Sequence, residues 1–458
     1  MKILMTGATG LVGKFLGVEL VRRGHEIIVI SRSQSSAQKL CPFPCRVIEA
    51  TLTDAPIASE LLNSVDAVIN LMGEPIATGF WTAEKKQKIQ RSRIEATKNL
   101  VNSFTENKPK IFLSTSAIGI YGDQGDELLT EESKVGNGFL AELCRGWEKE
   151  AQAMNTEFTR LVIARIGLVL SSKGGLLAEL LPLFKAGLGG SLGSGDQWMS
   201  WIHIDDLISS FIFALENPNI SGVFNAVAPN PVRNKEFTRT LAQILKRPRF
   251  AMVPKVMLQI LLQEKSSLLT FSQRVLPKKL QSSGYQFQHS TLEKSLNIEL
   301  KNQSLGEDVF VSQHYIESSP QDLFPFFSEA KNLEQLTPQS LRFKILKVST
   351  ALIEKGTLID YSLRIHGVPV YWRTEIENWN PPFQFVDNQL RGPYKLWHHT
   401  HSFELLGKGT LMTDRVRIIV PFGFIGWFFG NKFIRSEVES IFSFRRDIIH
   451  KLYHKTEH

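Results

Sequence analysis

Eight residues near the start, TGATGLVG, set Gly7, Gly10 and Gly13 at intervals of three directly after Thr6. A short apolar run, KILMT, precedes them, and LVGKFLGVELVRRG follows with Leu11, Phe15, Leu16 and Leu20 at helical spacing. This is the grammar of a strand, a tight turn and a helix, in which free backbone amides can take a pyrophosphate. Gly7 permits the turn, Gly10 admits the phosphates, and Gly13 lets the helix close on the strand. The next apolar run, EIIVIS, ends in Ser31-Arg32. A carboxylate there would hold a free ribose 2′-hydroxyl, whereas Arg32 can pair with a 2′-phosphate. The motif therefore predicts a dinucleotide, NADP in preference to NAD.

Other chemistry-bearing residues give less. CPFPC holds Cys41 and Cys45, but there is no second cysteine pair to complete a zinc site, and two prolines make the segment a loop. In WHHTHSF, His399 and His401 share one face of a strand but lack an obvious third ligand. No metal site is expected.

The elements that would position these residues alternate. DAVINLMG, KIFLSTSA and FTRLVIARIGLVL read as further strands, with a helix over roughly 83–106 between two of them. Such alternation implies an α/β Rossmann fold, a doubly wound parallel sheet covered on both faces. A smaller lobe follows, about 235–298. A polar stretch at 299–308 is the expected linker. From 309 to 458 the pattern changes to a strand, short helices, six further strands and a terminal amphipathic helix from about Phe433 to Tyr453. This is α+β, an antiparallel sheet able to hold a long helix in its concavity.

Residues 1–298 resemble the extended short-chain dehydrogenase/reductase superfamily, and more closely its atypical epimerase-like family. The stretches that carry the resemblance run in order: DAVINLMGEPIATGFWT, SRIEATKNLV, STSAIGIYGDQGDELLTEES, GFLAELCRGWEKEA, RIGLVL, GSGDQWMSWIHIDDL, FNAVAPNPV and QRVLPKKLQSSGYQF. The resemblance implies that Gly7, Thr9, Gly10, Leu11 and Val12 line a pyrophosphate and that Arg32 meets the adenosine phosphate. It also implies that Leu71, Met72, Gly73 and Glu74 lie beside the adenosine ribose. Ser114 and Ser116 would sit at a strand's C-terminal end, where open α/β sheets take their ligands.

The wider superfamily uses a Tyr as general acid/base, tuned by a Lys four residues on. Here Leu140 and Cys144, or Phe139 and Leu143 in an alignment shifted by one residue, occupy those positions, and none of the seven tyrosines is followed by Lys at that spacing. Ser116, Tyr121 and His203 remain as candidate catalytic groups. Two readings stay open. One is an NADP-dependent oxidoreductase or epimerase with unusual acid/base groups; the other is a non-catalytic NADP(H)-binding sensor or scaffold.

Residues 309–458 resemble the helix-grip superfamily of START-like and polyketide-cyclase-like domains. That resemblance implies an apolar cavity, with Tyr361, Tyr371, Trp372, Trp379 and Trp397 as candidate wall residues, and adds a third reading, a hydrophobic-ligand carrier. VPFGFIGWFFGNKFIRSE is expected as a buried loop before the last helix, with a cavity lid or a membrane-touching segment as the alternatives.

The chain has 458 residues, with 43% hydrophobic and 21% charged, so two or more folded domains are expected. The net charge of +8 is spread rather than clustered, which argues for a solvated surface and against a nucleic-acid partner; the expected partner is a small-molecule substrate. No run of apolar residues is long enough to span a bilayer, and three cysteines make no disulfide framework. A cytoplasmic location is the expectation.

Overall fold

Lys2–Thr6 pairs in parallel with Glu26–Ser31 on one side and Ala67–Asn70 on the other. A computed structural model describes the chain except residues 63, 106, 249–252, 255, 258–259, 261–262, 302–306, 422 and 454–458, and the side chains of 423–433. The described residues form two compact units, residues 1–37 with 45–301, and residues 38–44 with 302–458.

The first unit is built on seven parallel strands. Their order is Gly222–Ala226, Arg160–Ile166, Ile111–Ala117, Ala67–Asn70, Lys2–Thr6, Glu26–Ser31, Arg46–Glu49. The central strands are apolar and buried almost throughout, as a sheet covered on both faces requires. The chain reverses its order of addition between Lys2–Thr6 and Ala67–Asn70, which opens a crevice at the strands' C-terminal ends. The helix expected over 83–106 is two helices, Ala83–Arg91 and Ile94–Asn102. At the break, Ser92 Oγ accepts from Glu74 N at 2.9 Å and donates to Ile89 O at 3.0 Å. That side-chain bond to the preceding turn competes with the helix ladder. The smaller lobe contributes Phe237, Leu241, Leu292 and Leu296, which pack with Trp201 and Leu170 in one apolar cluster.

The second unit is one antiparallel sheet of seven strands. Their order is Glu307–Ile316, Gly409–Ile419, Leu396–Leu406, Gln384–Arg391, Val368–Asn380, Leu358–Ile365, Lys344–Val348. Its edge strand Lys344–Val348 is irregular, with a register shift between Ile345 and Lys347, and both of its lysines are exposed. The last helix runs Gly423–Tyr453, so it begins ten residues before the expected Phe433 and takes in most of the stretch expected as a loop. The side chains of the segment's glycine-rich middle lie outside the described residues. Val438, Phe442 and Ile449 of this helix pack on Val416, Ile418, Phe403 and Met412 of the sheet. Of the expected linker, 299–308, residues 302–306 lie outside the described residues, while Glu299 ends the helix Leu292–Glu299 and Glu307 opens the strand Glu307–Ile316. No described helix is long and apolar enough to cross a membrane.

Candidate functional site

The crevice begins at the glycine turn. Gly7 has φ +65°, and a Cβ there would lie 2.6 Å from Leu71 O, so both conformation and space demand glycine. A Cβ on Gly13 would lie 2.4 Å from Gly7 O and 2.6 Å from Ala8 Cα, which shows how closely the helix Leu11–Arg22 closes on the turn. Gly10 is different, since only Gly7 O stands near its absent Cβ, at 3.3 Å. Gly10 is also the helix N-cap, with no side chain bonding the first amides. Those amides are therefore available to an anion. Thr6 Oγ1 ties this turn to the neighbouring strand, donating to Asn70 Oδ1 at 2.7 Å and accepting from Leu71 N at 3.1 Å. Arg32 stands exposed just beyond the second strand.

A cleft with about 330 Å³ of room continues from Leu71. Its lining includes Arg93, Ser116, Leu140, Cys144, Trp147 and Gln273. Leu140 and Cys144 project from the helix Phe139–Gln152 one turn apart, so the positions where a Tyr and a Lys were sought do face the cleft. Burial, and then the nearby Glu148 carboxylate, pushes the Cys144 thiol up to about 11. It is a poor nucleophile and a poor acid near neutrality. Iodoacetamide at pH 8 is expected to label Cys144 on the order of a hundredfold more slowly than an unperturbed thiol. Peptide mass spectrometry of timed quenches checks this, and labelling at the rate of glutathione overturns it.

Ser116 is a cleft residue, but its hydroxyl donates to Glu148 Oε1 at 2.7 Å. Glu148 in turn takes both forks of Arg165, Nε at 2.8 Å and Nη2 at 2.8 Å. Arg165 Nη1 reaches Tyr121 Oη at 3.0 Å, and Tyr121 donates to Asn225 Oδ1 at 2.7 Å. Tyr121 is fully buried in this network, and burial raises its phenol further. It does not line the cleft, which corrects the expectation that it could face a nicotinamide. The reason is local. A single 3₁₀ turn, Ile118–Tyr121, follows the strand and turns the ring into an apolar cluster with Ile120, Leu129 and Val275.

His203 lies outside the cleft lining as well. It is 1% exposed, its Nδ1 caps the helix Ile204–Glu216 by accepting from Asp205 N, and its ring packs against His289 at 4.0 Å. Ser114 lies inside its strand, within 3.3 Å of Asn70 Nδ2, and is buried rather than open to a ligand. Met72, Gly73 and Glu74 follow the fourth strand as expected, but Glu74 Oε1 is held by Lys85 at 2.6 Å.

Arg93 was not anticipated. It sits at the helix break, packs on Gly73 and donates to Glu74 O at 3.0 Å. Burial pulls its guanidinium below the usual range. In the sequence it looks like one more surface arginine in a long helix; only Ser92, a poor helix former, hints at the break. In the second unit, a separate cavity of about 170 Å³ is lined mainly by aromatic and aliphatic side chains, among them Phe327, Tyr361, Trp372 and Trp397. Tyr371, by contrast, is 37% exposed, and Trp379 packs with Phe324 outside that lining.

Comparison with known proteins bears on the first unit. The NAD dependent epimerase/dehydratase family matches residues 3–226, and a domain of unknown function, DUF1731, matches residues 253–297. The epimerase family protein SDR39U1 homolog of Arabidopsis thaliana is 40% identical over 306 residues, 65% of this chain and 86% of that protein. The epimerase family protein YfhF of Bacillus subtilis is 38% identical over 301 residues, 65% of this chain and 97% of that protein. The crystal structure of human epimerase family protein SDR39U1 with NADPH superposes at a TM-score of 0.59 with 31% identity, covering 66% of this chain and all of that one. Through its first unit, the chain belongs to the NAD-dependent epimerase/dehydratase family.

Proposed function

We propose that the first unit binds NADP(H) and holds it beside a cleft that lacks the Tyr–Lys proton relay. The observation that carries this reading is the glycine turn. Gly7 and Gly13 are fixed by backbone contacts, while Gly10 leaves open the approach to an uncapped helix N-terminus. The pyrophosphate would rest there, on the amides that follow Gly10, with Thr9, Leu11 and Val12 around it. Leu71, at the end of the fourth strand, would flank the ribose. Arg32 would pair with the 2′-phosphate, a group that the NADPH of the human relative also carries. A nicotinamide supplies or accepts a hydride; what this chain adds is position and the exclusion of water by Leu140, Leu143 and Trp147.

Among the described residues of that cleft, the titratable groups are Arg93 and Cys144, and neither is a proton donor near neutrality. Binding without proton-coupled epimerisation is the reading this lining supports best. The Arg93 guanidinium favours a second one, hydride transfer to a carbonyl whose developing oxyanion is met by a cation rather than by an acid.

Calorimetry with NADPH and NADH tests the cofactor. NADPH is expected to bind more tightly, and Arg32→Ala should weaken NADPH by about tenfold or more while leaving NADH unchanged, because a charge-assisted phosphate contact is lost. Tighter NADH binding by the wild type would reverse the assignment.

For the second unit, the antiparallel sheet with a long helix packed on it, and the aromatic cavity between them, support a helix-grip module that takes an apolar small molecule.

A further inference from the structure

His399 and His401 stand two residues apart on Leu396–Leu406, so both imidazoles leave the same face. Strand register brings a carboxylate to each side. Asp387 lies opposite His399 on one neighbouring strand, and Asp414 lies opposite His401 on the other. Asp387 Oδ2 is 2.9 Å from His401 Nε2 and 3.3 Å from His399 Nδ1. Asp414 Oδ1 is 3.0 Å from His399 Nε2 and 2.8 Å from His401 Nδ1, the latter off the line of a good hydrogen bond. The third ligand missing from the sequence motif thus comes from the adjacent strand.

The proton count gives this arrangement its meaning. A neutral imidazole has one N–H and one lone pair. If both N–H groups face Asp414, then lone pairs of His399 Nδ1 and His401 Nε2 converge with Asp387 Oδ2. Three such atoms, each within reach of the others, form a donor set that one cation would satisfy. The two rings stand with centroids 3.7 Å apart at the wall of the apolar cavity, so a single divalent ion can be shared between them and Asp387. Asp414, fully buried, then becomes the outer carboxylate that fixes both tautomers.

We propose that His399, His401 and Asp387 bind one divalent transition-metal ion, with Asp414 orienting both imidazoles and the open coordination positions facing the aromatic cavity. Two imidazoles and one carboxylate suit zinc or ferrous iron, whereas calcium and magnesium prefer all-oxygen sites. Asp387, His399 and His401 all line the cavity, and Asp414 stands behind them. Arg445 lines it too; its Nη1 lies 3.7 Å from Asp414 Oδ1, and neither Nε nor Nη1 makes a hydrogen bond. A ligand with an oxygen head and an apolar body fits that lining. Its head would reach the metal and Arg445, and its body would lie among Tyr361, Trp372 and Phe385.

The test is titration of chelator-stripped, full-length protein with Co²⁺, followed by its visible ligand-field bands and by displacement with Zn²⁺. One equivalent per chain is expected. Asp387→Asn and His399→Gln should each weaken it by at least about a hundredfold, and Asp414→Asn by about ten- to a hundredfold. Thermal melts of the stripped variants check that they fold. His289→Gln should bind as the wild type does, which separates this site from the cluster of His203, Asp205 and His289 in the first unit. The proposal fails if the wild type takes up no Co²⁺, if folded Asp387→Asn and His399→Gln both keep full affinity, or if His289→Gln loses the signal.

Discussion

Gly10→Ala is expected to melt within about 2 °C of the wild type and yet lose NADPH binding by at least about a hundredfold. Gly10 has an extended backbone, φ −76° and ψ 173°, that alanine adopts freely, and its new methyl meets only one backbone oxygen at 3.3 Å. The methyl otherwise meets open space, which is where the proposed pyrophosphate would lie. Gly13→Val makes the contrast. Its Cβ would sit 2.4 Å from Gly7 O, a backbone atom that cannot swing aside. The helix Leu11–Arg22 must lift from the sheet, so both stability and binding fall. Calorimetry and thermal melts on the two variants read the difference. NADPH bound to Gly10→Ala with wild-type affinity would mean that the dinucleotide does not cross this turn.

Arg165→Met should be the most destabilising single change in the first unit outside its apolar core. It leaves Glu148, 9% exposed, as a buried carboxylate without its bidentate partner and removes a donor from Tyr121. Breaking such a pair from one side costs about 3–5 kcal/mol, or roughly 6–15 °C in melting temperature for a unit of this size. Replacing both partners, Glu148→Leu with Arg165→Met, should recover part of that loss, because no unpaired charge remains. If Arg165→Met melts with the wild type, the network contributes nothing to the fold.

These two sites differ in how far the sequence exposes them. The glycine turn is local. Spacing, strand and helix lie within 22 residues, and each glycine's role follows from backbone geometry alone. Glu148, Arg165, Tyr121 and Asn225 come from four separate elements, and only the packed sheet makes them neighbours. Tyr121 and His203 were reasonable candidates because their side chains can move protons. Their side-chain directions, which the sequence does not show, are set by a 3₁₀ turn in one case and a helix cap in the other. Arg93 was hidden for the opposite reason, since a helix pattern that looks continuous over 83–106 gives no sign that it breaks and turns one guanidinium inward. The Asp387–His399 pairing depends on strand register, which periodicity does not supply. The start of the last helix was missed because glycines at 423, 426 and 430 lower helix propensity, while the packing of the rest of that helix on the sheet favours its extension.

The strand Lys344–Val348 is one edge of its sheet, where the Ile345 amide is taken up by Glu334 Oε1 at 3.0 Å rather than by a further strand. Such a border invites a second chain to add itself and, repeated, to polymerise. Lys344 and Lys347, together with the irregular step between Ile345 and Lys347, make that addition electrostatically and geometrically poor. A wide, one-sided sheet has two such margins, and at this one the two cations and the irregular step disfavour strand addition.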